Sequence, residues 1–235
     1  MASFIYVIND IKDVEKDRNH PSKKNRPIAS NKISIKKALV FAIFLIIISL
    51  LLNFSITKVF SLATLYLILY LFINILYSFG MKNIAILDVI LLASGFILRV
   101  YFGAAIINVT VSNFLFLTIL NASLFLGLGK RYKEIQLKNN VRKVLENYNE
   151  RFLESFINIT ICLVIVFYSL WIMDHNNDYL YYSIPILTII IMQYMLNMYK
   201  GEECAPTTIF FQNKFLIITT IIYILYMFIT MVVIR

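Results

Sequence analysis

The chain has 235 residues, 60% of them hydrophobic and only 15% charged, with a mean hydropathy of +0.78 and a formal net charge of +9. Those proportions fall outside the range of a soluble globular domain and predict an integral membrane protein, whose positive charge faces anionic lipid heads and excludes a nucleic-acid-binding role. Two cysteines, Cys162 in an apolar run and Cys204 in a polar connection, give no basis for a disulfide or for redox chemistry.

Ala2 to Ile8 read as the last two turns of a helix, without the charged and apolar regions of a signal peptide. They lead into Asn9-Asp10-Ile11-Lys12-Asp13-Val14-Glu15-Lys16-Asp17, with aspartates at i, i+3 and i+7. On a helix that spacing puts Asp10, Asp13 and Asp17 on one face. Like carboxylates held together repel unless a cation lies between them, so the pattern predicts a hard divalent ion, Mg²⁺, and with it a phosphate or diphosphate ligand. The three aspartates are the expected metal ligands and catalytic residues, and Asn9 beside them an expected substrate contact. Further along the same connection, Lys23 and Arg26 suit either phosphate contacts or the plain basic signature of a cytoplasmic loop, and the sequence leaves both open.

Apolar runs follow at roughly 37–53, 59–79, 84–107, 112–129, 155–173, 179–199 and 214–234, each near the ~20 residues needed to cross a bilayer. The expected fold class is therefore all-α: a polytopic membrane bundle of about seven full spans plus an N-terminal helix stub, in a single domain over residues 1–235. Tyr77 and Lys82 end the second run and are candidate contacts to the ligand of the aspartates. Asp88 and Arg99 lie three turns apart in the third run, where a charge costs a few kcal/mol. Asp88 either binds substrate or is solvated near the interface; Arg99 either pairs with an acid or binds an anion in a polar cavity. The fourth run ends in Gly127-Leu128-Gly129-Lys130-Arg131-Tyr132-Lys133-Glu134, which opens a second polar connection through Arg151. Lys130, Arg131 and Glu134 are candidate substrate-binding residues there, with topology as the alternative. Gly95, Gly103, Gly127 and Gly129 read as helix-packing positions, and the isolated His20 and His175 receive no role.

Lysine and arginine fix the orientation. The segments 9–37, 80–83, 130–151 and 200–214 hold 19 of the 22, the opposite side only Lys58 and Arg235, and Arg99 lies inside a span. Both polar connections are thus expected at the cytoplasmic face of the cell membrane, with Trp171, Tyr179, Tyr181 and Tyr182 as an aromatic belt on the outer side.

Asn9-Asp10-x-x-Asp13-x-x-x-Asp17 ending a helix, followed by Arg26-Pro27-Ile28, resembles the first aspartate-rich motif of the UbiA superfamily of intramembrane prenyltransferases. The resemblance extends over nearly the whole chain. It implies an all-helical fold around a central cavity, a diphosphate held through Mg²⁺, and an active site facing the cytoplasm. The family's usual second acidic motif is replaced by Gly129 to Glu134. With Asp88, Ser94-Gly95-Phe96 to Arg99, and Arg142 to Tyr148, this is similar to the branch typified by decaprenyl-phosphate phosphoribosyltransferase. That branch implies phosphoribosyl diphosphate as donor and a polyprenyl phosphate as acceptor; a cationic second site suits an anionic acceptor. The family's first helix and the start of its second have no counterpart before Met1, so the chain is expected to be N-terminally truncated relative to the family.

Three readings follow. The first is Mg²⁺-dependent transfer of phosphoribose to a polyprenyl phosphate, with Lys130, Arg131 and Arg99 on the lipid phosphate. The second is transfer of a prenyl group from prenyl diphosphate to an aromatic or other acceptor, for which a second aspartate pair is wanting. The third is an inactive lipid-binding scaffold, against which the intact aspartate motif argues. Membrane lipid is a partner in each, and self-association is left open.

Overall fold

The computed structural model describes residues 1–19, 23–57, 61–137, 143–175, 177–201 and 205–233. His20, Lys58, Arg142, Cys204 and Arg235, used in reading the sequence, lie outside them. The described residues form helices and no strand, in two compact units. The first, Met1–Thr110, contains α1 (Ala2–Lys12), α2 (Val14–Arg18), α3 (Ile35–Ile56), α4 (Leu62–Ser78) and α5 (Leu87–Ile106). The second, Val111–Arg235, contains α6 (Asn113–Gln136), α7 (Glu150–Met173), α8 (Ser183–Lys200), α9 (Pro206–Gln212) and α10 (Lys214–Phe228), which runs on through a π turn, Ile229–Val233.

Among the described residues six helical segments are long and apolar enough to cross a membrane, and α4, at 17 residues, is a shorter apolar helix. The seven expected runs therefore each coincide with a helix, which makes this a multi-pass membrane protein. Polar side chains set where the spans begin: Ser34, Ser61, Ser112, Asn149 and Asn213 each accept a hydrogen bond from a first-turn N–H of α3, α4, α6, α7 and α10 respectively. On α3 only Ala38, Ala42 and Asn53 are buried, while Val40, Leu51 and Ile56 are more than 60% exposed. Apolar side chains facing outward in this way are the surface a lipid solvent requires.

In the first unit α1 packs on α3 and α4, and α4 lies along α5. Helical hydrogen bonding carries across the break at Asp13, whose N–H donates to the Asn9 carbonyl while the Asp17 N–H donates to the Asp13 carbonyl, both at 2.8 Å. In the second unit α7 lies along α6, and α10 packs on α8. One boundary differs from expectation: α6 continues to Gln136, so Lys130 to Glu134 are its last turns and not a loop. Arg, Lys, Glu and Gln are good helix formers, and the Arg131–Glu134 pair at i, i+3 ties one turn to the next.

Two of the four glycines read as packing positions differ sharply in their surroundings. A Cβ on Gly129 would stand 2.7 Å from Sδ of Met198, which is 1% exposed, whereas one on Gly103 would meet nothing within 4 Å. Gly129→Ala is expected to lower thermal stability in detergent by about 1–3 kcal/mol through overpacking. Gly103→Ala is expected to be neutral or to raise it by up to about 1 kcal/mol, the helical gain of Ala over Gly. Equal shifts for the two would contradict the close approach of α6 to α8.

Candidate active site

Three cation–carboxylate contacts organise the N-terminal motif. Arg26 follows the short turn Lys23–Asn25, and its Nη1 donates to Asp10 Oδ1 at 2.6 Å and to Asp17 Oδ2 at 2.9 Å. Lys82 lies in the turn Met81–Asn83, reached through Gly80 at φ +139°, a backbone conformation that only glycine adopts without strain. Its Nζ donates to both oxygens of Asp13, at 2.7 and 2.6 Å, and to Asn9 Oδ1 at 3.5 Å. Asp17 is buried; Asp10 and Asp13 are half-buried. Burial pushes the Asp10 carboxyl above the ordinary aspartate range, with Arg26 opposing and Asp17 and Asp13 adding to the rise; Lys23 opposes more weakly. Arg18 anchors the segment from the other side, donating to Asn31 Oδ1 at 2.7 Å and to the Ala29 carbonyl at 3.3 Å.

The sequence places three carboxylates on one face; the structure resolves them into Asp10 and Asp17 around one guanidinium nitrogen and Asp13 on Lys82. Among the described residues no three acidic, histidine or cysteine side chains converge into a closed metal cage. The donor set nevertheless fits Mg²⁺ in that ion's usual manner, through one or two carboxylates together with phosphate oxygens and water. The position between Asp10 and Asp17 already holds a cationic group, Arg26.

Asn9 also lines a cavity of about 150 Å³ within the first unit, together with Ala2, Ile5, Tyr6, Tyr70, Asn74, Tyr77, Ser78, Leu91, Leu92, Gly95, Phe96 and Arg99. Arg99 Nη2 donates to the Tyr70 hydroxyl at 2.5 Å, and the guanidinium lies 5.1 Å from the Tyr70 ring centre and 5.6 Å from that of Phe96. The structure thus brings together Asn9, Asp10, Asp13, Asp17, Arg26 and Lys82, and, along the cavity, Asn9, Tyr77 and Arg99. The charge of Lys23 also acts on Asp10. Asp88 is fully buried in the first turn of α5 and is neither solvated at the interface nor part of the cavity lining. Tyr6, Tyr70 and Asn74 escaped sequence reasoning, although Tyr70, Asn74 and Tyr77 form a polar stripe at i, i+4 and i+7 in an apolar run and were legible as such.

In the second unit Arg131 is fully buried and donates to Glu134 Oε2 at 2.8 Å, while Lys130 is partly exposed. Beside them runs a connected polar network. Tyr132 donates to Glu154 at 2.7 Å and accepts from Gln136 Nε2 at 2.7 Å; buried Lys133 donates to Gln136 Oε1 at 3.0 Å and to the Tyr199 carbonyl at 3.4 Å. Glu154, Gln136 and Tyr199 had no sequence signal, because polar residues at span ends are ordinary.

An all-helical membrane fold with an aspartate cluster beside a cavity defines the class, and the comparisons agree: the UbiA prenyltransferase family model matches residues 1–217, and the chain belongs to that family of transferases. It is 34% identical to decaprenyl-phosphate phosphoribosyltransferase of Corynebacterium glutamicum over 92% of this chain and 68% of that protein. It is 31% identical to the enzyme of the same name from Mycolicibacterium smegmatis, over 92% and 72%. The structure of a UbiA homolog from Archaeoglobus fulgidus bound to GPP and Mg2+ superposes with a TM-score of 0.73 at 20% identity, covering 97% of this chain and 82% of that one, which shows the fold.

The Lys82–Asp13 pair joins side chains only 13% and 18% exposed. A double-mutant cycle with Lys82→Met and Asp13→Asn, followed by thermal unfolding, is expected to give a coupling of about 1–2 kcal/mol. A coupling of zero would mean that the pair does not form in the membrane.

Proposed function

We propose that the protein transfers phosphoribose from phosphoribosyl diphosphate to a polyprenyl phosphate, with the active site at the cytoplasmic face and the whole chain acting as one transmembrane domain. The observation that carries this reading is the carboxylate cluster with its two cations, sharing Asn9 with a cavity that also holds Arg99. Identity of 31–34% over 92% of the chain to proteins named for this reaction supports it.

A phosphate oxygen of the acceptor attacks C1 of the ribose, and the bond from C1 to the diphosphate breaks, the diphosphate leaving with the bonding pair. The acceptor phosphate is already ionised, so no side chain is required as a base. Asp10, Asp13 and Asp17 would hold Mg²⁺, which when bound supplies charge neutralisation to the leaving diphosphate. Arg26 and Lys82 contribute the positive charge that a diphosphate needs once the carboxylates have another cation to face. Asn9 presents a neutral amide beside Lys82 and orients the same ligand. Lys130 and Arg131 are assigned to the acceptor's phosphate: Glu134 holds the Arg131 guanidinium in one orientation, and Lys130 is the more accessible charge.

Asp10→Ala and Asp13→Ala are expected to abolish transfer, by more than about a hundredfold, while membrane insertion, directed by the apolar spans, is unchanged; Asp13→Ala also lowers thermal stability, because Lys82 loses its carboxylate. Turnover of the wild type with a prenyl diphosphate and an aromatic acid, and none with phosphoribosyl diphosphate, would assign prenyl transfer instead.

Orientation is testable separately. In a background without Cys162 and Cys204, single cysteines at the exposed positions Lys24 and Glu146 are expected to be shielded from an impermeant thiol reagent in right-side-out vesicles and labelled in inverted ones. Opposite behaviour of the two positions would refute a common cytoplasmic face.

A further inference from the structure

Arg99 is a cation within a span whose hydrogen-bonding partners are neutral phenols. Tyr70 accepts at 2.5 Å and Tyr6 stands close by, and among the described residues Arg99 makes no ion pair. A guanidinium placed among apolar helices costs a few kcal/mol when left so. The other cations of this unit's site, Arg26 and Lys82, sit on carboxylates, so Arg99 alone meets a ligand with its charge uncompensated. Its planar fork of five donors suits a phosphate, and the Tyr70 and Phe96 rings hold the plane from the side.

The second observation is where this cation stands. One cavity is lined by Asn9, adjoining the aspartates, and by Arg99; seven of its thirteen lining side chains are polar. A prenyl diphosphate is anionic at one end only: Ala2, Ile5, Leu91, Leu92 and Phe96 suit its oily part, but with its diphosphate at the aspartates it brings no anion to Arg99. A phosphorylated sugar diphosphate is anionic at both ends with hydroxyls between.

We infer that Arg99, positioned by Tyr70, is the subsite for a phosphate monoester, namely the 5-phosphate of the donor, and is what selects a sugar donor over a prenyl one. The inference rests on the phosphoribosyl reading above and reassigns Arg99 from the acceptor's lipid phosphate to the donor. The lipid phosphate is also a monoester, and the test separates the two sources.

The experiment uses the full chain in nanodiscs. Binding of ribose 5-phosphate and, separately, of inorganic diphosphate with Mg²⁺ is measured by calorimetry for wild type, Arg99→Met, Arg99→Lys and Tyr70→Phe, alongside KM for each substrate. Arg99→Met is expected to weaken ribose 5-phosphate by about tenfold or more and to raise the KM for phosphoribosyl diphosphate similarly. Inorganic diphosphate binding and the KM for the polyprenyl phosphate should change by less than about twofold, within the scatter of an uninvolved site. Arg99→Lys restores part of the loss. Tyr70→Phe, which removes one hydroxyl, gives a smaller loss with the same pattern and carries the test if Arg99→Met does not fold. A raised KM for the lipid acceptor alone, or equal weakening of both phosphate probes, overturns the assignment. So does unaltered ribose 5-phosphate binding in a wild type that turns over phosphoribosyl diphosphate; in that case only the role of Arg99 fails. A wild type that binds inorganic diphosphate but neither binds ribose 5-phosphate nor uses phosphoribosyl diphosphate removes the phosphoribosyl reading and this inference with it.

Discussion

Three carboxylates on one helical face at the edge of a bilayer repel one another, and the first unit is arranged around relieving that repulsion. The cations that do so come from elsewhere in the chain. Arg26 folds back from beyond the α2 turn to bridge Asp10 and Asp17, and Lys82 reaches Asp13 from the connection between α4 and α5. These contacts tie the end of α1 to Arg26 and to the α4–α5 turn, while Arg18 holds the chain at Ala29 and Asn31. Because Asp17 is buried and Lys82 nearly so, removing one partner leaves an uncompensated charge away from water, a larger penalty than the net worth of the pair. On the proposed reading, a metal taking the place of these cations at the carboxylates would free Arg26 and Lys82 for an anion.

Much of this was visible in the sequence because charge and hydropathy are local properties. Seven apolar runs map onto seven helices, and the i, i+3, i+7 spacing puts the aspartates on one face even though the helix breaks at Asp13. Lys82 was legible as a basic residue beside a span end. That it meets Asp13, 69 positions away, was not, because pairing depends on how α1 lies against α4. The continuation of α6 through Glu134 was obscured by the same cluster of charges that marks a cytoplasmic boundary. A span's helix does not have to stop where the bilayer does, and the Arg131–Glu134 pair sustains another turn beyond the apolar run. Asp88 shows the converse difficulty: periodicity placed it on a helix, but its complete burial depends on what packs over the first turn of α5.

The basic segment of α6 has a different character from the aspartate cluster. Arg131 and Lys133 are buried and engaged by side chains of their own unit, through Glu134 and through the chain of Tyr132, Gln136 and Glu154. Such a connected network holds each charge in one orientation at the cost of its freedom. Of Lys130, Arg131 and Lys133 only Lys130 is not buried, so this segment presents a preorganised field more than mobile side chains.

The cations of the first unit divide by what they already touch. Arg26 and Lys82 rest on carboxylates and gain from a phosphate only to the extent that another cation takes their place, which couples anion binding to metal binding. Arg99 rests on phenols and forfeits no ion pair on meeting an anion. On the proposed reading, a ligand bearing a single diphosphate would engage the first kind and leave Arg99 on its phenols alone. A ligand with a second phosphate would answer it. Selectivity in such a cavity would come less from the strength of any one contact than from whether the ligand carries a second anion for the guanidinium that no carboxylate answers.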